Sequence, residues 1–473
     1  MTAKKKTSAK KAEPEQKLPE WASKVPVLLI ALGAMLALAG VAYDKVHFTH
    51  AWLVSFMFYL SICLGGFFLV LLHYLLDSHW IVPIRRIAEH LSCMLPLLVV
   101  FFIPIAIWSG IEFVTVSDGA EEHGHTQAEK AEKATENAAE AHGERVEAKA
   151  GDHGHAHDAG SRAFYSWMQS EQEYWDTEPH ETHDHAWYAK KGYLNSGFWH
   201  LRWVAIFVLW GVFTWLIRKH SLAQDADGAA KWTRYNRKLA AAGIFVFAAT
   251  LTIGAVDWMK GLEHQWFSTM YGVYYFAGSV WVSLITIYVI ALLMKNYGPL
   301  KDVVQKKTLK DNATLFFAFT VFYAYIHFSQ YFLIWNASIP EETFWYVKRE
   351  QGPWWDVGML IIFGHFFVPF LTLLRQDVKV NHVIMIPVAV LAWFLHFCDM
   401  SYNIMPLIHE TGGWMSRIWI DLGCLAFMGG CLSMVFLHFF NKSAPYPQKD
   451  PRIAETMGVY VQLHSEAKAA GKL

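Results

Sequence analysis

The chain reads as an all-α polytopic membrane protein with ten transmembrane helices and both termini in the cytoplasm. Three observations carry that reading. Of the 473 residues, 54% are apolar and only 17% carry a full charge, against about 25% in an ordinary soluble protein. The apolar residues gather into ten separate runs. The basic residues gather on alternate loops. Aromatic side chains reach 16%, with 22 Trp, more than one water-soluble core of this size hides. Lipid is therefore part of the solvent. An ordinary soluble enzyme, a disordered chain and a nucleic-acid binder are excluded.

A crossing helix needs roughly 20 mostly apolar residues to pass about 30 Å of hydrocarbon. The runs lie at 25–43, 51–76, 88–114, 197–217, 239–258, 274–294, 313–335, 356–374, 382–402 and 415–440. Residues 1–24 form a basic leader. It is long, and no small-residue cleavage site precedes the second run, so the first run is expected to stay as a span. Spans one to three occupy 25–114, an insert fills 117–195, spans four to ten occupy 197–440, and a tail covers 441–473.

The leader, the segments 77–87, 218–238, 295–312 and 375–381, and the tail together hold 27 Lys and Arg. The opposite short loops hold only Lys45, Lys260, Lys348, Arg349 and Arg417. The positive-inside rule then places the leader and tail in the cytoplasm and the insert outside. Trp80, Trp232, Trp258, Trp266, Trp354, Trp355 and Trp414 sit near span ends, as interface anchors do.

The formal net charge of −1 hides an asymmetry, because the insert carries 17 acids against 7 bases. It opens with an Ala/Glu/Lys-rich stretch, Gln127 to Ala150, that composition leaves between solvated helix and disorder. It also holds nine of the 24 His. His153, His155 and His157, with His180, His183 and His185, have spacings that can ligate zinc or copper. The plainer reading is a solvated loop with incidental metal affinity. The aromatic stretch after Phe164 (Tyr165, Trp167, Tyr174, Trp175, Trp187, Tyr188) is too apolar for free coil. It is expected to pack on the membrane face or on a partner. The five cysteines lie in apolar runs without CxxC or CxxCH, which excludes attached haem c and disfavours an iron–sulfur cluster.

Ionisable residues at membrane depth are costly, so each is a candidate for function. Thr320, Tyr323, His327, Gln330 and Tyr331 make one polar stripe on the seventh span. Ser279, Ser283 and Thr286 repeat at helical spacing on the sixth. His365 lies near the centre of the eighth, and His396 lies one turn from Asp399 on the ninth. Glu112, Asp257, Asp399 and Asp421 cluster toward the outer ends. His73, Asp77, Glu89, His90, Arg85 and Arg86 cluster toward the inner ones. This pattern suits two aqueous half-paths for protons. Interhelical hydrogen bonding is the competing account, above all for the hydroxyl groups. His382 and His396, with thirteen residues between them, have the spacing of two stacked b-haem ligands, but no other span offers a matching pair.

Four stretches carry a family resemblance: FYLSICLGGFFLVLLHYLLDSHWIVPIRRIAEHL (58–91), VDWMKGLEHQWFSTMYGVYYFAG (256–278), FFAFTVFYAYIHFSQYFLIWNASIPEETFWYVKR (316–349) and KDPRIAE (449–455). They resemble the second NrfD-type, polysulfide-reductase-like membrane subunit of bacterial alternative complex III. The resemblance runs over roughly 25–455, the insert apart. It implies two four-helix bundles plus two peripheral helices, in the inner membrane, with residues 117–195 periplasmic. It implies a subunit of a quinol:electron-acceptor oxidoreductase that contributes to quinone binding, to proton translocation, or to both. Electrons would pass to cytochrome c or a terminal oxidase. The chain would bind no redox cofactor of its own and would meet only quinone or quinol. Haem c and iron–sulfur clusters would sit on partners: c-type cytochromes and an iron–sulfur/molybdopterin-like subunit. A second NrfD-type subunit would complete the membrane part. The motif residues are Asp257, His264, His327, Ser329, Gln330, Glu341, Glu342, Arg85 and Arg86. His327 stands where many relatives carry Gln. A stand-alone ion or metal transporter and a b-type cytochrome are the alternatives, although no clear internal repeat or mid-span Gly/Pro break favours a transporter.

Overall fold

The computed structural model describes residues 20–110, 112–113, 162–168, 189–409 and 413–456. The stretch Gln127–Ala150 and the histidines at 153, 155, 157, 180, 183 and 185 lie outside the described residues, as do Tyr174, Trp175, Trp187 and Tyr188. Among the described residues ten helices are long and apolar enough to cross a membrane, so the chain is a multi-pass membrane protein. The spans run Trp21–Tyr43, Lys45–Leu76, Arg85–Trp108, Ser196–Asp227, Lys231–Leu262, Tyr271–Tyr297, Lys306–Ala337, Pro353–Leu373, His382–Leu407 and Met415–Lys442.

Several helices outrun their apolar cores. The second starts at Lys45, not 51, because Asp44 caps it by accepting from the His47 amide at 2.9 Å. The fourth continues to Asp227, not 217, and stops at Gly228, whose φ of 72° suits the left-handed C-cap. The third departs from the expected 88–114. Its helix breaks into a 3₁₀ turn at Leu95–Leu98, around Pro96, and ends at Trp108. Glu112 is therefore not helical. Glu112–Phe113 pairs antiparallel with Arg162–Ala163 as a short ribbon. The eighth span widens to a π-helix at Ile361–Phe367. Pro369 follows and has no N–H to offer the His365 carbonyl four residues back, which favours the wider turn. Between spans seven and eight, the short helix Pro340–Arg349 carries Glu341 and Glu342 in its first turn and Lys348 and Arg349 in its last, each sign matching its end of the helix dipole.

The second and sixth spans are the most buried, and the first and seventh among the most exposed. The second packs on the third, fifth, sixth, ninth and tenth. The third meets the fourth, the fourth the fifth, and the fifth the sixth. The sixth meets the seventh and ninth, the seventh meets the eighth, and the eighth meets the ninth. The first lies along the tenth. Glycines allow the closest approaches. A Cβ at Gly65 would fall 2.2 Å from the Ser279 carbonyl oxygen, and one at Gly33 would fall 2.3 Å from the Phe427 nitrogen.

At the aromatic end of the insert, Phe164, Tyr165 and Trp167 are buried against this chain's own helices. Tyr165 donates to the Trp258 carbonyl at 2.9 Å and Trp167 to the Gly261 carbonyl at 3.0 Å. The end of the fifth span presents carbonyls without helical partners, and these side chains satisfy them.

Candidate functional site

Loop residues that bond one another define two faces. Asp77, Arg237 and Arg452 join at 2.6–2.7 Å, so the loop after span two, the head of span five and the tail share the amino-terminal face. Asp44 meets Arg417 at 2.8 Å, and Glu263 meets Arg349 at 3.2 Å, which puts the alternate loops on the opposite face.

One polar cluster reaches from mid-bundle to that opposite face. His365 is fully buried. Its ring lies between the Trp281 indole, 3.7 Å away centroid to centroid, and the Tyr323 ring, 3.9 Å away. Neither of its nitrogens has a hydrogen-bond partner among the described residues. On the ninth span, His396 Nε2 lies 2.8 Å from Ser61 Oγ, whose own proton goes to the Phe58 carbonyl at 2.7 Å. His396 Nε2 is therefore the N–H, and Nδ1 keeps a lone pair that has no partner among the described residues. Gly278 makes room here, because a Cβ on it would sit 3.3 Å from His396 Cε1 and 3.7 Å from the Tyr323 ring.

One turn on, Asp399 is buried and accepts a short hydrogen bond from the Tyr274 hydroxyl. The Tyr274 oxygen accepts from Asn403 Nδ2 at 2.9 Å and lies 3.5 Å from the Tyr323 hydroxyl. Tyr271 donates to Asn403 Oδ1 at 3.0 Å. His327 stands half-buried beside the rings of Tyr274 and Tyr323, with centroids 5.5 and 5.8 Å apart. Arg349 closes the end of the cluster at that face by donating to the carbonyls of Tyr402 and Asn403, each at 2.9 Å. Among the described residues Asp399 has no cation or imidazole within ion-pairing range. A carboxyl buried without a counter-charge is expensive to keep ionised. Hydroxyl groups and nearby imidazoles are chemistry through which it can exchange a proton.

Five of the sequence candidates thus meet: Tyr323, His327, His365, His396 and Asp399. The others do not join them. Gln330 bonds Ser268 at 2.9 Å and Tyr346 at 3.1 Å. Asp257 is ion-paired with Arg202 at 2.5 Å and accepts from Tyr193 at 2.8 Å. Burial and the Asp257 carboxylate push the Tyr193 phenol up. His264 Nδ1 is 3.2 Å from Ser166 Oγ. Asp421 bonds His47 at 2.8 Å. The side chain of Glu112 lies outside the described residues, as do His153, His155, His157, His183 and His185.

His73 and Glu89 belong to a network on the amino-terminal face, and His90, whose ring nitrogens have no hydrogen-bond partner among the described residues, lies on the same helix as Glu89. Glu89 accepts from Arg85 at 3.1 Å, Arg86 at 2.7 Å and Ser221 at 2.7 Å. Arg85 also donates to His73 Nε2 at 2.6 Å and to Asp450 of the tail. Burial alone would raise the Asp450 carboxyl, but the charge of Arg85 and then His73 holds it below the ordinary carboxylate value. His90 packs against Phe436 and Phe440. Two hydroxyls of the sixth span act between helices, since Ser283 donates to the Ile62 carbonyl at 2.5 Å and Thr286 accepts from Trp393 at 2.9 Å, while Ser279 donates to the Tyr275 carbonyl of its own helix at 2.7 Å.

Sequence reasoning missed Tyr274, Asn403, Ser61, His47 and His409. Tyr271, Tyr274 and Gly278 at three- and four-residue steps were a readable stripe. Ser61 and Asn403 gave no signal apart from their partners. A comparison with protein-family models finds no match, and neither does a comparison with curated proteins.

Proposed function

We propose that the chain is a membrane subunit of a respiratory quinol:electron-acceptor oxidoreductase of the alternative complex III type, in which the Asp399 cluster exchanges protons as part of translocation. The observation that carries the proton reading is the buried, uncompensated Asp399 carboxyl, bonded to Tyr274 and one turn from His396 on its own helix, with the His327 and His365 rings against Tyr323. The redox assignment rests on the resemblance of residues 58–91, 256–278, 316–349 and 449–455. The helix contacts support it, since spans two to five and spans six to nine each close a ring of four, with the first and tenth outside. Lysines and arginines concentrated on the amino-terminal face support a cytoplasmic assignment for that face. Iron–sulfur and haem c partners, a second NrfD-type subunit and a terminal oxidase in a bacterial inner membrane complete this reading.

The quinone alternative has a weaker footing in this subunit. A 310 Å³ apolar cleft opens between spans one, two, three, six and ten, lined by Trp21, Tyr59, Leu91, Met94, Thr286 and Phe436. Its Tyr59 and Thr286 hydroxyls already donate to the Leu425 and Val282 carbonyls. It offers walls for an isoprenoid tail but no evident proton acceptor for a headgroup. The test is Asp399→Asn in the intact complex, reconstituted in vesicles. Quinol oxidation should continue while protons moved per electron fall. Unchanged pumping, or purification of the native chain without redox partners, would refute the proposal.

A further inference from the structure

A second polar site lies on the opposite face, apart from the Asp399 cluster. His47 stands in the first turn of span two and is fully buried. Both of its ring nitrogens face titratable groups. Nε2 is 2.8 Å from Asp421 Oδ2, in the first turn of span ten. Nδ1 is 2.9 Å from His409 Nε2, in the loop after span nine. His409 is only partly buried. Its loop is anchored, because Trp354 donates to the His409 carbonyl at 2.5 Å and stacks on Trp414 at 5.3 Å.

Asp44, Arg417 and His50 surround this site. Asp44 accepts from the His47 amide at 2.9 Å and from Arg417 at 2.8 Å. His50 bonds the Val46 carbonyl through Nδ1 at 2.9 Å, while its Nε2 is buried with no partner among the described residues. Asp421 Oδ1 is buried with no partner among the described residues. A carboxylate–imidazole pair that merely ties two helices together needs one ring nitrogen. Here the second nitrogen meets another imidazole, which requires matched tautomers in both rings.

We infer that His409, His47 and Asp421 form a proton wire between the aqueous phase at this face and a buried carboxyl at the head of span ten. In the loading direction Asp421 begins as a carboxylate that accepts from His47 Nε2–H, and His47 Nδ1 accepts from His409 Nε2–H. A proton from water bonds to His409 Nδ1. The His409 Nε2–H bond breaks as a bond to His47 Nδ1 forms. The His47 Nε2–H bond breaks as a bond to Asp421 Oδ2 forms. One proton enters, one carboxyl is neutralised, and both rings end as the other neutral tautomer. Burial, then the neighbouring His47 and Arg417, holds His409 down at about 4. Its resting ring is therefore neutral, with one N–H and one lone pair, as a relay requires. The inference stands whether or not the chain serves quinol oxidation.

The test uses the purified full chain in vesicles of one orientation and follows the Asp421 carboxyl by infrared difference spectroscopy after a pH jump on one side. The band is identified by its loss in Asp421→Asn. A fast response to a jump on the His409 face is expected. His409→Gln keeps a donor for His47 Nδ1 but cannot relay, so it should leave the resting band in place and lose the fast phase. His47→Phe should lose the response altogether. Asp399→Asn should leave the signal unchanged, which separates this site from the translocation proposal. A fast phase that survives His409→Gln, an equal response from the other face, or a carboxyl that never responds would overturn the wire.

Discussion

The His365 imidazole lies nearly parallel to the Trp281 indole, at 18° and with ring centroids 3.7 Å apart. Tyr323 covers the other face of the same imidazole at 24°. The ring thus fills an aromatic slot in the packing while its two nitrogens remain uncommitted among the described residues. Packing and proton chemistry are separable at this position.

That separation gives a substitution test. His365→Phe keeps a flat ring in the slot and should leave thermal stability within about 1 kcal/mol, while pumping by the assembled complex falls. His365→Ala should lose on the order of 3 kcal/mol to the cavity it opens. Thermal unfolding in detergent, paired with a pumping assay, reads both. Full pumping in a stable His365→Phe protein would take this ring out of the path.

Asp257 tells the opposite story. Its carboxylate is buried with the Arg202 guanidinium at 2.5 Å, and Arg202 also donates to the Tyr193 carbonyl at 2.8 Å. The sequence reading makes Asp257 a proton-path candidate; the ion pair points to stability. Arg202→Met alone should cost about 3–5 kcal/mol by stranding a buried carboxylate, and adding Asp257→Leu should recover most of it. Denaturation of the single and double variants measures this. A double variant no more stable than the single one would mean that the pair is not the source of the loss.

His409 gives stability a pH dependence whose sign follows from linkage. Burial, His47 and Arg417 lower it from 6.5 to about 4. Between those values the unfolded chain binds the proton and the folded chain does not, so protonation favours unfolding. This contribution is complete above pH 6.5 and is lost progressively as pH falls toward about 4. At still lower pH, Asp450 continues the decline, since its carboxyl is held below its unfolded value. Unfolding temperatures measured from neutral pH to pH 4 should fall for the native chain and fall less for His409→Gln. Parallel curves would show that another group is responsible.

The seventh-span stripe shows how much of the site was legible. Thr320, Tyr323 and Gln330 are buried on one face of that helix, as their spacing requires, because a helix repeats every 3.6 residues whatever surrounds it. Tyr331, which the spacing also puts on the stripe, is instead exposed at the edge of that face and donates to Glu350 at 2.9 Å. Partner identity was not legible in the same way. Asp399 and Tyr274 are 125 residues apart in sequence, and His47 and Asp421 are 374 apart.

The sequence by itself determined that this chain crosses a membrane ten times and which residues are polar at depth. Hydropathy is a local sum, and roughly 20 consecutive residues suffice to evaluate it. Only the tertiary structure decided that Asp257 is neutralised by Arg202 while Asp399 has no counter-charge among the described residues. Ion pairs act over a few ångströms between helices whose order around the bundle is set by the packing of glycines and aromatic rings, and no window along the chain contains that order.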